Sequence, residues 1–255
     1  MGSRIFLQAS WEYLGMINYE VDPTILQPYL PRYTEIDYFG GKAFVSLVGF
    51  LFNETRVLGV RWPGFVNFEE VNLRFYVKRF NGTEWERGVA FVSEIVPRRW
   101  IAMMANTLYN EHYTSAIMRH TLKKDGNTLN LSYKWKQPHE KWNHFHIHAE
   151  GPAETIKPGS AEEFIFEHYV GYNQYNPAAT MLYRVEHPRW KVYDVKHCEV
   201  HCRIGALYGM PFVPFMQDVR PASVFLAQGS EVRVYSPRLI REPARRVVDQ
   251  TFSGI

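Results

Sequence analysis

The stretch from residue 68 to 118 constrains this chain most, because strict alternation flanks a turn signal there. In Glu69-Glu70-Val71-Asn72-Leu73-Arg74-Phe75-Tyr76-Val77, extended geometry puts Val71, Leu73, Phe75 and Val77 on one side and Asn72, Arg74 and Tyr76 on the other. Asn81-Gly82 tolerates the positive φ of a tight hairpin turn, and Gly88-Val89-Ala90-Phe91-Val92-Ser93-Glu94 returns as the partner strand. Pro97 suits the first turn of a helix on which Trp100, Met104 and Leu108 recur every four residues. The predicted unit is a hairpin, a helix and a further strand.

The same pattern recurs along the chain. Strands are predicted over residues 11–21, 35–39, 43–52, 116–122, 128–135, 144–148, 169–174, 180–186, 190–205 and 223–234, with glycines at 40, 41 and 126 in the turns of two further hairpins. Asp22-Pro23 gives an N-cap and a first-position proline for a short helix to about Tyr29. Ser160 with Glu163 forms a capping box for a second, carrying Phe164 and Ile165, and residues 151–159 connect to it. Residues 237–255 are basic, proline-interrupted and aperiodic. They are predicted to be a tail on the surface or on a neighbouring subunit of a homo-oligomer.

A chain of 255 residues with 46% hydrophobic content buries a substantial core, and one domain over residues 1–236 is expected. With 29 basic against 26 acidic residues, a nucleic-acid or membrane partner has little electrostatic support. Only Cys198 and Cys202 are present, so no disulfide framework is implied and a reducing cytoplasm is expected. The longest apolar run, residues 43–52, falls short of the ~20 residues that span a bilayer. No phosphate-binding glycine loop or serine-hydrolase elbow occurs, and no cofactor is expected.

Five segments carry a resemblance: Glu70-Val71-Asn72-Leu73-Arg74-Phe75-Tyr76-Val77, Gly88-Val89-Ala90-Phe91-Val92-Ser93, Glu167-His168-Tyr169-Val170-Gly171-Tyr172, His187-Pro188-Arg189-Trp190, and the run from Pro221 through Gln228-Gly229-Ser230-Glu231-Val232. In content and order they resemble the YqjF-like uncharacterised bacterial proteins, up to about Tyr235. That family is similar to acetoacetate decarboxylase, which implies an α+β, mainly antiparallel β fold: a β barrel or cone around an internal cavity, with a few short helices. In the decarboxylase a lysine amine of lowered pKa forms a Schiff base with a ketone. The counterpart of that lysine falls near residues 108–114, yet no lysine occurs between Lys78 and Lys123. Arg98 and Arg99 cannot substitute, because a guanidinium stays protonated. Schiff-base decarboxylation is therefore not expected.

The resemblance also makes Glu70, Asn72, Arg74 and Glu94 the counterparts of residues that line the relative's pocket. An inward Arg74 needs an anionic partner, either a ligand carboxylate or Glu94 in an ion pair that braces the hairpin. Tyr109, Glu111, His112 and Tyr113 sit near the position of the lost amine. Tyr109 joins Glu70, Asn72 and Arg74 as a ligand-binding candidate, while Glu94, Glu111, His112 and Tyr113 are candidates for acid–base chemistry on an enolisable compound.

A separate signal is His144-Phe145-His146-Ile147-His148, where alternation sets three imidazoles on one strand face as candidate metal ligands. Neighbours there are ~6.5 Å apart, so two share an ion more easily than three. His197, Glu199 and His201 face away from Cys198 and Cys202, which splits a second potential ligand set, and His120 is predicted to be a core histidine. Glu167-His168-Tyr169 and His187 receive no definite chemistry. The expected function is binding of a small organic carbonyl or carboxylate compound. A lysine-independent acid–base enzyme and a metal-binding protein are the alternatives.

Overall fold

The computed structural model describes residues 4–64, 66–99 and 113–242. Among these, strands dominate: β1 (Ile5–Val21), β2 (Glu35–Ile36), β3 (Ala43–Val57), β4 (Phe68–Phe80), β5 (Trp85–Val96), β6 (Tyr113–Ser115), β7 (Ile117–Asp125), β8 (Thr128–Lys136), β9 (Asn143–Thr155), β10 (Val170–Asn176), β11 (Ala179–Glu186), β12 (Lys191–His201), β13 (Ser223–Tyr235) and β14 (Arg238–Ile240). Short helices α1 (Ala161–Phe166), α2 (Ile204–Tyr208) and α3 (Val213–Met216) interrupt them. The expected plan of antiparallel strands with a few short helices holds. Among the described residues, only the pairings of β5 with β10 and with β6 are parallel.

The strands hydrogen-bond in the order β14-β11-β10-β5-β4-β3-β1-β13-β12-β9-β8-β7, and β11 pairs also with β13, so the run from β13 through β1, β3, β4, β5 and β10 returns on itself. Beyond β13, strands β12, β9, β8 and β7 form an arm.

Strands β3 and β4 are buried on both faces, which their alternation alone does not reveal. Leu47, Leu73 and Phe75 join one apolar cluster with Tyr133, Trp135, Phe145 and Ile147 of the arm. Their neighbours Val48, Phe50, Phe68 and Tyr76 join a second with α1 and Trp190. The arm packs closely because Gly15 of β1 lies opposite Gly49 of β3. The Phe145 ring fills that notch: a Cβ on Gly49 would stand 2.6 Å from its Cζ.

The β4–β5 turn uses its asparagine differently from a two-residue hairpin. Phe80 pairs with Trp85, leaving four residues in the loop. The Asn81 side-chain oxygen accepts from the amides of Thr83 (2.9 Å) and Glu84 (3.0 Å), and Gly82 supplies φ +109°. At α1, Ser160 Oγ accepts from the Glu163 amide as the capping box requires, but the Glu163 carboxylate takes the amide of Gly159 rather than that of Ser160.

Elsewhere the chain departs from its local pattern. The predicted connection 151–159 begins instead as strand, since a left-handed Gly151 (φ +75°) lets β9 run on to Thr155. The strand predicted over 190–205 ends at His201, and α2 follows. The amides at its N-terminus, which have no partner within the helix, find acceptors elsewhere in the chain, Asn143 Oδ1 for Arg203 and Gln217 Oε1 for Ile204. His120 is exposed on β7 rather than buried, and its Nδ1 lies 2.7 Å from Glu69 Oε1: β7 ends the sheet path, and its neighbours Met118 and Leu122 are only partly buried against the core. The start of the predicted tail is ordered as β14, paired with β11, and residues 243–255 lie outside the described residues. The helix predicted to carry Trp100, Met104 and Leu108 also falls outside them.

Candidate functional site

Alternation in β4 carries Glu70, Asn72 and Arg74 to the same face as Phe68 and Tyr76, so three polar side chains enter an apolar cluster. Register supplies their neighbours. Glu94 of β5 lies opposite Asn72, Phe91 lies opposite Arg74, and the parallel strand β6 sets Tyr113 beside Glu94. These residues line one pocket with about 130 Å³ of free volume. A single water needs only ~10–15 Å³ by that measure, so the space suits a small organic molecule. Trp11, Phe50, Phe52, Phe166 and Trp190 give it aromatic walls, and His168 and His187 complete the polar set.

At one end, Glu70 Oε1 accepts from Asn72 Nδ2 (2.9 Å) and Oε2 from the Tyr113 hydroxyl (3.2 Å). Burial pushes the Glu70 carboxyl up to about 7, against the pull of these two hydrogen bonds and the charge of Arg74. The carboxyl therefore exchanges its proton near neutrality. Asn72 Oδ1 is buried and has no partner among the described residues.

Further along β4, Arg74 does not form the hairpin brace with Glu94. It donates to the Ile165 carbonyl (3.2 Å) and lies 3.5 Å from Met16 Sδ, and its buried Nε has no partner among the described residues. The cation also sits over the Tyr76 ring, 5.7 Å from its centroid. Tyr76 is fixed in turn, its hydroxyl bonded to Ser46 Oγ at 2.5 Å.

Sequence reasoning gave no role to the third polar group. His168 is buried, its ring tilted against Tyr76 (4.8 Å) and edge-on to Phe164 (5.1 Å), and its Nε2 lies 3.3 Å from Asp37 Oδ2. Arg87 Nε donates to the same oxygen at 2.6 Å. His187 stacks face to face on Trp190 at 3.9 Å, and burial lowers its pKa. The motifs around 167 and 187 flagged these histidines. Asp37 stands 131 residues from His168, and nothing local links the two.

Tyr109, Glu111 and His112 lie outside the described residues. Of the other acid–base candidates, Glu94 and Tyr113 stand in the pocket. The described lining residues include no lysine.

The histidine strand lies elsewhere, on the outer face of β9. Register sets His144, His146 and His148 opposite His201, Glu199 and His197 of β12. His148 Nδ1 is 3.0 Å from Asn130 Oδ1, and His201 Nε2 is 2.8 Å from Glu199 Oε1. Burial, with repulsion from neighbouring histidines and Lys134, keeps His144 and His146 below the usual imidazole range, although Glu199 opposes this at both. No group of three or more His, Cys, Asp or Glu side chains among the described residues is arranged to hold a metal ion. Cys198 on the other face of β12 and Cys202 just past its end are free thiols, and burial pushes both up to about 12. No helix among the described residues is long and apolar enough to cross a membrane.

Comparison with known proteins agrees with the architecture. The uncharacterised protein YqjF of Bacillus subtilis is 26% identical over 170 residues, 66% of this chain and 68% of that one. Acetoacetate decarboxylase from Legionella pneumophila superposes with a TM-score of 0.64 at 12% identity, covering 92% of this chain and 87% of that one. The enduracididine biosynthesis enzyme MppR, solved with pyruvate, gives 0.61 at 12% identity over 94% and 91%. Identities this low establish a shared fold and nothing finer. A family model for uncharacterised conserved proteins matches residues 8–231, nearly the whole described chain, and the protein therefore belongs to that family, DUF2071, with an acetoacetate decarboxylase-like fold.

Proposed function

We propose that this protein binds a small organic carboxylate or carbonyl compound in the pocket along β4, without forming a Schiff base. The guanidinium of Arg74 carries the reading. It is a half-buried cation in an aromatic-walled pocket, bonded to a carbonyl and close to a thioether, with Nε unpartnered among the described residues. A guanidinium in that state suits a ligand's planar anionic group, which it can hold with paired hydrogen bonds. The aromatic walls suit an apolar body. Pyruvate, the compound in one MppR structure, is a 2-oxo acid and so has both groups the reading calls for.

No lysine lines the described pocket, and residues 79–122 contain none. Titration calorimetry with a panel of aryl and 2-oxo carboxylates tests the reading. Arg74→Gln is expected to weaken every binder by roughly tenfold or more, the scale of a charge-assisted hydrogen bond. Equal affinity in both proteins overturns it. Borohydride added with a 2-oxo acid should leave the protein mass unchanged, and a trapped lysine refutes the non-covalent mode.

One observation favours a second reading, an acid–base enzyme in the same pocket. A carboxyl held near 7, as at Glu70, gives and takes protons at neutral pH. Deuterium exchange at the carbon beside a ligand carbonyl, followed by NMR and abolished in Glu70→Gln, supports it. Exchange no faster than in buffer rules it out.

A further inference from the structure

Five of the chain's ten histidines stand together on the outer face of β9 and β12, and the pocket uses none of them. Along β9, neighbours on that face are ~6.5 Å apart at the backbone. Across to β12 the approach is closer. Register sets His144 directly opposite His201, where Cβ atoms stand ~5 Å apart, and the two ring centroids are separated by 4.8 Å. Both rings are open to solvent: His144 is half-buried, and the His201 side chain is 58% exposed.

The chemistry of this pair is that of metal ligands. A divalent ion binds the neutral imidazole, and burial, with the charges of His201 and Lys134, holds His144 below the usual imidazole range against the pull of Glu199. At neutral pH that ring therefore offers a lone pair. On His201 one nitrogen is already committed, since Nε2 lies 2.8 Å from Glu199 Oε1. That hydrogen bond holds the Glu199 carboxyl below the usual carboxylate range. An ionised carboxylate only accepts, so Nε2 donates, and in the neutral ring Nδ1 carries the lone pair. Histidines that ligate metals almost always hand their second N–H to a carboxylate, a carbonyl or a water in this way. Two nitrogens on one tetrahedral ion lie ~3.3 Å apart, a separation that side-chain rotation alone can supply between exposed cross-strand rings.

We propose that His144 and His201 together bind a late first-row divalent metal ion, Cu²⁺, Ni²⁺ or Zn²⁺, with Glu199 as a positioning residue behind His201 and solvent in the remaining coordination positions. No three His, Cys, Asp or Glu side chains among the described residues are arranged to meet on one ion, so this is an open site rather than a closed structural one. It stands apart from the pocket, and the carboxylate reading neither supports it nor depends on it.

Calorimetric titration of each metal into protein carrying no affinity tag tests it. Cu²⁺ is expected to bind at one ion per chain and more tightly than Ni²⁺ or Zn²⁺, the order that nitrogen ligands impose. His144→Ala and His201→Ala should each weaken Cu²⁺ by about tenfold or more, and Glu199→Gln by about tenfold. His148 sits at the other end of the row with its Nδ1 against Asn130 Oδ1 (3.0 Å), so His148→Ala should leave the affinity unchanged. Electron paramagnetic resonance of the Cu²⁺-loaded wild-type protein reads the ligands without any variant, and nitrogen couplings from two imidazoles are expected.

The inference is overturned if the wild-type protein binds no Cu²⁺, if His144→Ala and His201→Ala bind it as the wild type does, or if the couplings come from a single imidazole. A loss in His148→Ala as large as that in His144→Ala places the ion along β9 and overturns the cross-strand pair.

Discussion

Replacing Glu70 with glutamine should change how stability depends on pH, because the two side chains differ in one titration and little else. Glutamine keeps an oxygen for the bond from Asn72 or Tyr113 and has nearly the same volume. In the folded wild-type protein burial holds the carboxyl at about 7, against 4.5 for an ordinary glutamate. Between those values the folded state binds more protons than the unfolded one, so the stability contributed by Glu70 falls as pH rises across the window and is constant outside it. At about 1.4 kcal/mol per pH unit, the full change is on the order of 3 kcal/mol. For a chain of this length that is a shift of roughly 6–10 °C in Tm.

Urea denaturation of both proteins from pH 4.5 to 8 isolates the effect, since every other titration cancels in the difference. Glu70→Gln should gain on the wild type steadily up to pH 7 and then run parallel to it. Curves parallel throughout would show that the carboxyl does not titrate in this window. A difference of opposite slope would show it ionised and paired, with Arg74 as the nearest cation, and the argument for a proton-exchanging pocket would fail.

Three further outcomes follow from the same geometry. Gly49→Ala puts a carbon 2.6 Å from the Phe145 ring and should lower stability by about 1–3 kcal/mol in urea denaturation, and an unchanged midpoint would mean the notch is loose. His168 has a folded pKa of about 4 against 6.5 for an ordinary imidazole, so the stability it contributes is complete above 6.5 and is lost as pH falls towards 4. His168→Phe should therefore show a shallower acid loss than the wild type, and equal slopes would contradict a buried neutral imidazole. With both thiols held at about 12, Cys198 and Cys202 should react with a thiol reagent at pH 7 a hundredfold or more slowly in native protein than in urea, and comparable rates would place them in contact with solvent.

What the sequence made legible was local. Alternation in residues 69–77 identified β4 and both its faces, Asn81-Gly82 marked the turn, and the glycines at 40, 41 and 126 marked two more. The burial of the polar face was not legible, because it follows from β1, β3, α1 and β13 closing over β4, and strand periodicity says nothing about what covers a face. The Asp37–His168 contact joins a residue just after β2 to one just after α1, a tertiary pairing with no sequence period. Helix α2 was hidden for a related reason: its capping acceptors, Asn143 and Gln217, are distant in the chain. The candidate site was partly readable. Glu70, Asn72, Arg74 and Glu94 were singled out through resemblance and all line the pocket, yet the carboxyl poised near 7 and the buried His168 imidazole needed three-dimensional burial to appear.

The most direct measurement is a crystal structure of the protein grown with 3-phenyllactate. The account predicts the acid in the pocket, its carboxylate within hydrogen-bond distance of the Arg74 guanidinium, its ring among Trp11, Phe50 and Trp190, and no bond to any lysine. A pocket collapsed on itself, with Arg74 paired to one of the protein's own carboxylates, would contradict it.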